Sequence, residues 1–188
     1  MVVVLHGQGG MGFELPKWAS RLAEAGFITV TGCWDYISGS AEPNPVRCPH
    51  DLALAAAAID ALIRVGRGQH DARKDALALY GQSFGGFVTY QQLETRRDVR
   101  AAVIDSGMGL AYPQRVNAAV LILGGTADQP VPIETQRHCY QQLLDARKTV
   151  EAHFYDGAGH VVISDPRYGD NATAQIVDFL KRYLSRTG

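Results

Sequence analysis

Short apolar runs alternate with amphipathic stretches along the whole chain. The runs are four to six residues long and rich in β-branched side chains, which suits buried parallel strands. They occur at 2–5, 27–31, 76–80, 101–104, 119–123 and 150–155. Between them, helical patterns occur near 15–25, 50–66, 84–95, 133–147 and 171–185. The pattern predicts strands and helices that alternate from one end of the chain to the other.

This alternation predicts an α/β fold with about six parallel strands, right-handed crossovers and helices on both faces of the sheet. The chain has 188 residues, enough for one substantial core, and no repeat or inter-domain linker interrupts it. We therefore expect a single domain over 1–188. The longest irregular stretches, 32–49 and 105–118, both follow strands. Loops at the carboxyl ends of parallel strands are where such sheets bind their ligands.

The first loop of the chain fits two different functions. It reads HGQGGMG and directly follows the apolar run 2–5. Its glycines match the G-x-G-x-x-G of dinucleotide-binding folds, and Asp35 stands about where such a fold places its ribose-binding acid. His-Gly-x-Gly-Gly after a buried strand can instead form half of an oxyanion hole. The loop alone leaves both an oxidoreductase and an acyl hydrolase open.

A sharper motif lies between the strand at 76–80 and the helix at 84–95. It reads GQSFGG and matches G-x-S-x-G. A serine at such a tight strand-to-helix turn has its hydroxyl exposed, and small neighbours let the turn close. The positive end of the helix dipole lies beside it. Ser83 is therefore the predicted nucleophile, and the alternative is a serine in an ordinary glycine turn.

A serine nucleophile needs a base, and the base needs an acid that orients it. Asp128 follows the strand predicted at 119–123, and His160 lies in a glycine-flanked loop after the strand at 150–155. Each of the three residues follows the carboxyl end of its own strand, so all three can meet at one edge of the sheet. The sequence therefore predicts a catalytic triad of Ser83, Asp128 and His160.

Other acids and histidines are weaker candidates. Asp105, at the end of a predicted strand, is an alternative orienting acid, whereas Asp156 precedes the turn that carries His160 and is expected to cap it. The remaining histidines have no nucleophile near them in sequence and are interpreted as surface or packed side chains: His50, His70, His138 and His153. No pair has the spacing of a metal site, so we expect neither a metal nor a cofactor.

Three segments, GQSFGGFVTY, LILGGTADQPVP and FYDGAGH, together resemble the α/β-hydrolase fold, in which the triad has the same chain order. Within it, the chain is most similar to the dienelactone hydrolase and prolyl-oligopeptidase-like branch. There, G-x-x-D-x-x-V-P, a helix, K-x-V-E, a strand and G-x-G-H form one block, which here runs from Gly125 to His160. The resemblance covers nearly the whole chain and implies Ser83 as nucleophile, His160 as general base and acid, and Asp128 as the orienting acid.

The chain departs from this family in several respects. Dienelactone hydrolases carry cysteine as the nucleophile, so Ser83 argues against that particular activity. The fold usually has two strands before the one that ends in His-Gly, whereas this chain starts inside that strand, so we expect six strands rather than eight. The strand at 27–31 should then lie at an edge of the sheet with no neighbouring strand of the same chain. Three explanations are open: a minimal version of the fold, a truncated start, or a homodimer contact that covers the edge. Only 13 residues separate Asp105 from the next strand, too few for a helical cap, so we expect an open site.

The predicted reaction is the hydrolysis of small carboxylic esters through an acyl-enzyme. The backbone N–H groups of Gln8 and Phe84 are expected to form the oxyanion hole. Candidate pocket walls are residues of the two long loops: Trp34, Tyr36, Met108, Leu110 and Tyr112. A peptidase or other acyl hydrolase on the same triad, an oxidoreductase and a non-catalytic small-molecule-binding protein are the alternatives.

Composition narrows the expected partners to a small-molecule ester and, through the sheet edge, a second copy of the chain. The net charge of −1 and the 20% of charged residues do not indicate a nucleic-acid or anionic-membrane partner. No run approaches a membrane span, and the N-terminus lacks the features of a signal peptide, so a cytoplasmic location is expected. The three cysteines are interpreted as free thiols, although Cys33 and Cys48 flank one loop and could bridge under oxidising conditions; the third is Cys139.

Overall fold

The computed structural model describes residues 1–11, 14–33 and 52–185. Its strands are β1 (Val2–Leu5), β2 (Thr29–Thr31), β3 (Leu77–Gln82), β4 (Val99–Asp105), β5 (Ala119–Gly125) and β6 (Val150–Tyr155). They form a six-stranded sheet in the order β2-β1-β3-β4-β5-β6, in which every neighbouring pair is parallel. The predicted parallel sheet is confirmed, and each predicted strand overlaps an observed one.

Within the described part of the chain, α-helices lie between all consecutive strands except β4 and β5, and one more follows β6. They are α1 (Glu14–Glu24), α2 (Leu52–Arg67), α3 (Phe84–Thr95), α4 (Ile133–Asp145) and α5 (Gly169–Leu184). Their ends differ from the predicted ones by no more than two residues. Alanine and leucine, the strongest helix formers, dominate α2. In α5, Asp170 lies in the first turn and Lys181 and Arg182 in the last, which complements the helix dipole.

Alternate residues of the buried strands enter one of two apolar layers. On one face, Val3 and Leu79 pack in a cluster with side chains of α2, α3 and α4. On the other face, Val4 and Tyr80 pack with side chains of α1 and α5. Helices therefore cover both faces, as predicted. Because β1, β3, β4 and β5 are buried on both sides, they read in sequence as largely apolar runs rather than as an alternating pattern.

Strand β2 lies at one edge of the sheet. In the described residues it pairs only with β1, with Val3 opposite Val30. The predicted sheet edge at 27–31 is thus observed, although the strand itself is only three residues long and half-buried. A very short edge strand is one of the ways in which proteins limit pairing with other chains.

The loops that follow β3, β4, β5 and β6 emerge at the carboxyl edge of the sheet. Between β4 and β5, residues 106–118 contain one short 3-10 turn, Pro113–Arg115, and no α-helix. No cap therefore arises from this connection, as the sequence predicted. The stretch 34–49, which belongs to the other long loop, lies outside the described residues.

The cysteines differ from one another in state. Cys33 is disulfide-bonded, so its interpretation as a free thiol is wrong. Cys139 is a free thiol, buried on α4, and burial raises its pKa. Cys48 lies outside the described residues. The free-thiol interpretation rested on the absence of a multi-cysteine framework, but a single disulfide needs only two cysteines at a suitable distance.

Candidate active site

Ser83 stands alone between β3, which ends at Gln82, and α3, which begins at Phe84. Its backbone has φ 52° and ψ −116°, a region that non-glycine residues rarely adopt. The glycines on either side make this turn possible. A Cβ on Gly81 would lie 2.3 Å from the Gly85 carbonyl oxygen, and a Cβ on Gly85 would lie 2.3 Å from the Leu5 carbonyl oxygen. The helix therefore begins in direct backbone contact with strand β1.

Ser83, His160 and Asp128 form a continuous chain of hydrogen bonds, although they come from three different loops. The Ser83 hydroxyl lies 2.8 Å from His160 Nε2. The other ring nitrogen, Nδ1, lies 2.9 Å from Asp128 Oδ1 and 3.0 Å from Oδ2. The structure thus brings together the three residues that the sequence selected.

The surroundings of Asp128 fix the orientation of the imidazole. Its side chain is fully buried, and its oxygens accept hydrogen bonds from the Val131 N–H at 2.9 Å and the Gln136 side-chain amide at 3.1 Å. An ionised carboxylate can only accept hydrogen bonds, so Nδ1 of His160 must carry the proton. Nε2 is then free of a proton and accepts the hydrogen bond of the Ser83 hydroxyl. Gln136 was missed in the sequence because a glutamine within a helix carries no motif.

Asp105 takes another role than the orienting acid. It is fully buried at the end of β4, and its carboxylate accepts hydrogen bonds from the backbone N–H of Val162 at 2.8 Å and of Ile163 at 3.2 Å. The neighbouring Ser106 hydroxyl accepts one from the N–H of Val161 at 2.9 Å. The carboxyl edge of β4 therefore holds the segment that directly follows His160.

That segment is strained where it leaves His160. Val161 has φ 62°, in the left-handed region that is costly for a β-branched residue. Burial raises the pKa of Asp105 to about 6, while hydrogen bonds from the N–H groups of Ile163 and Val162 and from the Tyr80 hydroxyl oppose the rise. Sequence analysis missed this tether because its donors are backbone groups, which leave no residue-type signature.

The glycine turn after β1 approaches Ser83 closely. A Cβ on Gly7 would lie 3.1 Å from the Ser83 Cβ, and the N–H of Gly10 donates to the Gly7 carbonyl to close the turn. Gln8 lies at the tip of this turn and lines the space beside Ser83. Phe84 is the first residue of α3, so its N–H lies at the positive end of the helix dipole. Gly12, the last glycine of the opening motif, lies outside the described residues.

Two cavities adjoin Ser83 on different sides. The histidine-side cavity, of about 550 Å³, is lined among others by Gly7, Gln82, His160, Val161 and Ser164. The phenylalanine-side cavity, of about 280 Å³, is lined by Phe84, Phe87, Met108 and Val131. Both cavities share Gln8, Ser83 and Pro130. The site is therefore a cleft with two arms that meet at the serine.

The predicted pocket walls are only partly found there. Met108 lines the phenylalanine-side cavity, whereas Tyr112 lines neither cavity. The N–H groups of Ala111 and Tyr112 both donate to Glu94 at 2.7 Å, which directs this part of the loop away from the site. Leu110 is buried in the core. Trp34 and Tyr36 lie outside the described residues.

Phe87 and Val131 were not selected from the sequence, although both line the phenylalanine-side cavity. Phe87 lies on α3, one turn after Ser83, and Val131 follows Asp128 in its loop. Because both residues lie within four positions of a predicted triad residue, the sequence could have marked them as candidate pocket walls. Their orientation toward the cavity, however, depends on tertiary packing.

The described residues outside the site offer little other chemistry. Among them, no three histidine, cysteine, aspartate or glutamate side chains lie close enough to share a metal ion. His70 is exposed and contacts Asp71 at 2.8 Å. None of the described helices is long and apolar enough to cross a membrane.

Several solved structures with the same architecture are described as hydrolases. An esterase from Pyrococcus furiosus superposes with a TM-score of 0.81 at 16% sequence identity, covering 97% of this chain and 83% of that one. A monoacylglycerol lipase from Paleococcus ferrophilus superposes with a TM-score of 0.74 at 19% sequence identity, covering 97% of this chain and 94% of that one. A dienelactone hydrolase-like promiscuous phosphotriesterase from metagenomic libraries superposes with a TM-score of 0.74 at 15% sequence identity, covering 97% of this chain and 86% of that one. At these identities the likeness establishes the fold.

The family is established by the sequence itself. The chain has no significant match among curated protein sequences. The family model for the dienelactone hydrolase family, however, matches residues 1–184, which is nearly the entire chain. The six-stranded sheet is therefore an α/β-hydrolase fold, and the chain belongs to the dienelactone hydrolase family.

Proposed function

We propose that this protein is a serine hydrolase that cleaves small carboxylic esters through an acyl-enzyme. The observation that carries the proposal is the hydrogen-bonded chain from Ser83 through His160 to Asp128, with distances of 2.8 and 2.9 Å. The strained backbone of Ser83 adds to it, because such a turn exposes the hydroxyl to substrate. Family membership supplies the hydrolase chemistry.

The geometry supports an acylation step in which each of the three residues has one role. The Ser83 oxygen attacks the ester carbonyl carbon while its proton passes to His160 Nε2. The resulting imidazolium is stabilised by the buried carboxylate of Asp128, which accepts the Nδ1 proton in a hydrogen bond and stays ionised. The bond between the carbonyl carbon and the alcohol oxygen then breaks, and the leaving alcohol takes the proton from Nε2. Ser83 is left as an ester of the acyl group.

Deacylation repeats these steps with water. His160 Nε2 takes a proton from the water as it attacks the acyl-enzyme, then returns it to the Ser83 oxygen, and the carboxylic acid leaves. In both steps negative charge develops on the carbonyl oxygen. The backbone N–H groups of Gln8 and Phe84 are the proposed donors to it, each worth about 3 kcal/mol in the transition state. The close approach of Gly7 to Ser83 and the place of Phe84 at the start of α3 support this assignment.

A short assay tests the proposal. p-Nitrophenyl acetate and butyrate should be hydrolysed by the wild-type protein, and Ser83→Ala should lower kcat/KM at least about a thousandfold, because the nucleophile is lost. Ser185→Ala, at an exposed serine after α5, should retain wild-type activity. A fluorophosphonate should react with the serine by loss of HF and add the mass of its phosphonyl group to wild type but not to Ser83→Ala. Full activity in Ser83→Ala would refute the proposed function, and faster cleavage of peptide anilides than of esters would favour a peptidase.

A further inference from the structure

The position of His160 gives the cleft a direction. In ester hydrolysis, the proton that His160 Nε2 takes from Ser83 is delivered to the oxygen of the leaving alcohol. That oxygen must come within about 2.6–3.2 Å of Nε2, so the alcohol extends from Ser83 on the side of His160. Only one of the two cavities has His160 in its described lining, namely the histidine-side cavity.

The acyl group must take the remaining direction. The carbonyl oxygen is directed at the N–H groups of Gln8 and Phe84, and the alcohol at His160. The acyl chain is then left with the phenylalanine-side cavity, which Ser83 also lines and in whose described lining His160 is absent. We infer that this cavity is the acyl-binding site, so that the substrates are esters of short apolar acyl groups; the inference rests on the proposed esterase function.

The side chains of the phenylalanine-side cavity fit an apolar acyl group. The rings of Phe84 and Phe87 are stacked, with centroids 5.7 Å apart and planes 11° apart, and both rings are half-buried. Met108 beside them is 42% exposed, and its flexible thioether adapts to the shape of a ligand. Exposed apolar groups collected next to a nucleophile are typical of a binding site rather than of an ordinary surface.

Backbone packing holds this apolar wall in place. Gly109, the residue after Met108, has φ +96° and approaches Phe87 so closely that a Cβ would lie 2.2 Å from its ring. The loop therefore rests directly on the ring. The cavity volume of about 280 Å³ lies near the lower end of the range for ligand pockets, which suits a short chain or a single ring.

The histidine-side cavity has a different character. Its described lining adds the polar residues Gln82, His160 and Ser164 to the glycine turn, beside the apolar Leu15 and Val161. Amide and hydroxyl groups there can bind the hydroxyls of a polar alcohol. The two arms of the cleft thus distinguish an apolar acyl group from a small or polar alcohol.

Two ester series test the assignment. In the first, p-nitrophenyl acetate, propionate and butyrate share a leaving group, and kcat/KM should rise about fourfold per added methylene as each becomes buried. In the second, butyrate esters of methanol, ethanol and butanol share an acyl group, and kcat/KM should change less than about twofold per methylene. If kcat/KM rose with chain length only in the alcohol series, or in neither series, the assignment would be overturned.

A matched pair of variants locates the effect. Met108→Ala should reduce the butyrate-to-acetate ratio of kcat/KM about fourfold, because part of the apolar wall is removed. Leu144→Ala, at a residue that is 40% exposed on α4 and lines neither cavity, should leave the ratio unchanged. An unchanged ratio in Met108→Ala and in Phe87→Ala would overturn the assignment while the esterase function stood. Absence of turnover for every ester would overturn both.

Discussion

Asp105 shows how one buried carboxylate serves a site without belonging to its hydrogen-bonded chain. Its oxygens receive the N–H groups of Val162 and Ile163, and the hydroxyl of Tyr80 lies 3.4 Å away. A buried charge is costly unless it is hydrogen-bonded, and here these contacts offset part of the cost. They also hold the backbone just after His160, where Val161 is strained. The position of the base is thus tied to strand β4 as well as to Asp128.

The raised pKa of Asp105 predicts how stability depends on pH. The folded-state pKa is about 6, above the value near 3.9 of an unfolded aspartate. The native state therefore binds more protons than the unfolded state between about pH 4 and 6, and this contribution is lost as pH rises through 6. Asp105→Asn removes the titration. We expect the free energy of unfolding of wild type, relative to Asp105→Asn, to fall by about 2–3 kcal/mol from pH 4 to 7, measured by urea denaturation.

Ser106→Ala is the control for this measurement. It removes the acceptor for the N–H of Val161 and weakens the same segment, but it adds and removes no titrating group. Its difference from wild type in free energy of unfolding should therefore be the same at pH 4 and pH 7. If Asp105→Asn gave an equally constant difference, the carboxylate would not titrate in this range.

At this scale, the sequence was informative where chemistry demands a residue type. Ser83, Asp128 and His160 each need a specific functional group in a loop after a strand, and all three were selected and lie in contact. Gln136 and Asp105 could not be assigned in this way. The side-chain amide of Gln136 reaches Asp128 from the first turn of α4, a contact that depends on how the loop before the helix folds. Asp105 binds backbone N–H groups, which any residue type would provide.

At the scale of elements, the turn between β3 and α3 depends on the contact of the helix with β1. Gly85 is the closest point, because its added Cβ would meet the carbonyl oxygens of Leu5 at 2.3 Å and His6 at 2.6 Å. Backbone atoms of a central strand cannot move aside as a flexible side chain can. The glycine therefore sets how near α3, and Ser83 at its start, lies to the turn that carries Gln8.

Gly85→Ala should consequently displace α3 from β1. We expect the free energy of unfolding to drop by about 1–3 kcal/mol, as for other overpacked sites. We also expect ester hydrolysis to fall about a hundredfold or more, because a shift of about 1 Å between Ser83 and His160 has that effect. Urea denaturation and kcat/KM for p-nitrophenyl acetate measure the two quantities.

Gly9→Ala provides the matched comparison for stability. A Cβ on Gly9 would have no heavy atom within 4 Å, so the free energy of unfolding should change by less than about 0.5 kcal/mol. Equal stability of the Gly85→Ala and Gly9→Ala variants would contradict the close approach of α3 to β1.

The elements themselves were largely predictable, and the reason is their burial. Strands covered on both faces are apolar along most of their length, so β3, β4 and β5 appear in the sequence as apolar runs, whereas half-buried β6 includes Glu151 and His153. Their ends were less well defined, since β4 begins at Val99, two residues before the apolar run at 101–104. Arg100 within this strand is polar because it lies near the rim of the sheet, 2.9 Å from Asp75. Residues near the ends of buried strands, such as this one, do not follow the apolar pattern.

At the scale of the whole molecule, one sheet supports two apolar layers. Consecutive residues of β1 enter opposite layers, as Val2 and Val4 pack on the side of α1 and α5, and Val3 and Leu5 on the side of α2, α3 and α4. Neither layer can be lost without uncovering strands that the other layer needs. The homodimer through the edge of β2 stays a prediction; it would show as a mass of twice the 20.4 kDa of the chain in light scattering.

The shared sheet predicts that the protein unfolds as a single cooperative unit, as expected of one domain. Far-UV and near-UV circular dichroism should give the same thermal midpoint. Ile59→Ala in one layer and Phe179→Ala in the other should each lower that common midpoint, because fully buried side chains of this size contribute about 2–5 kcal/mol. Val65→Ala, at a residue that is 57% exposed, should leave the midpoint nearly unchanged. Two separate transitions, each sensitive to only one of the two buried substitutions, would instead indicate layers that unfold independently, and the single-domain prediction would be wrong.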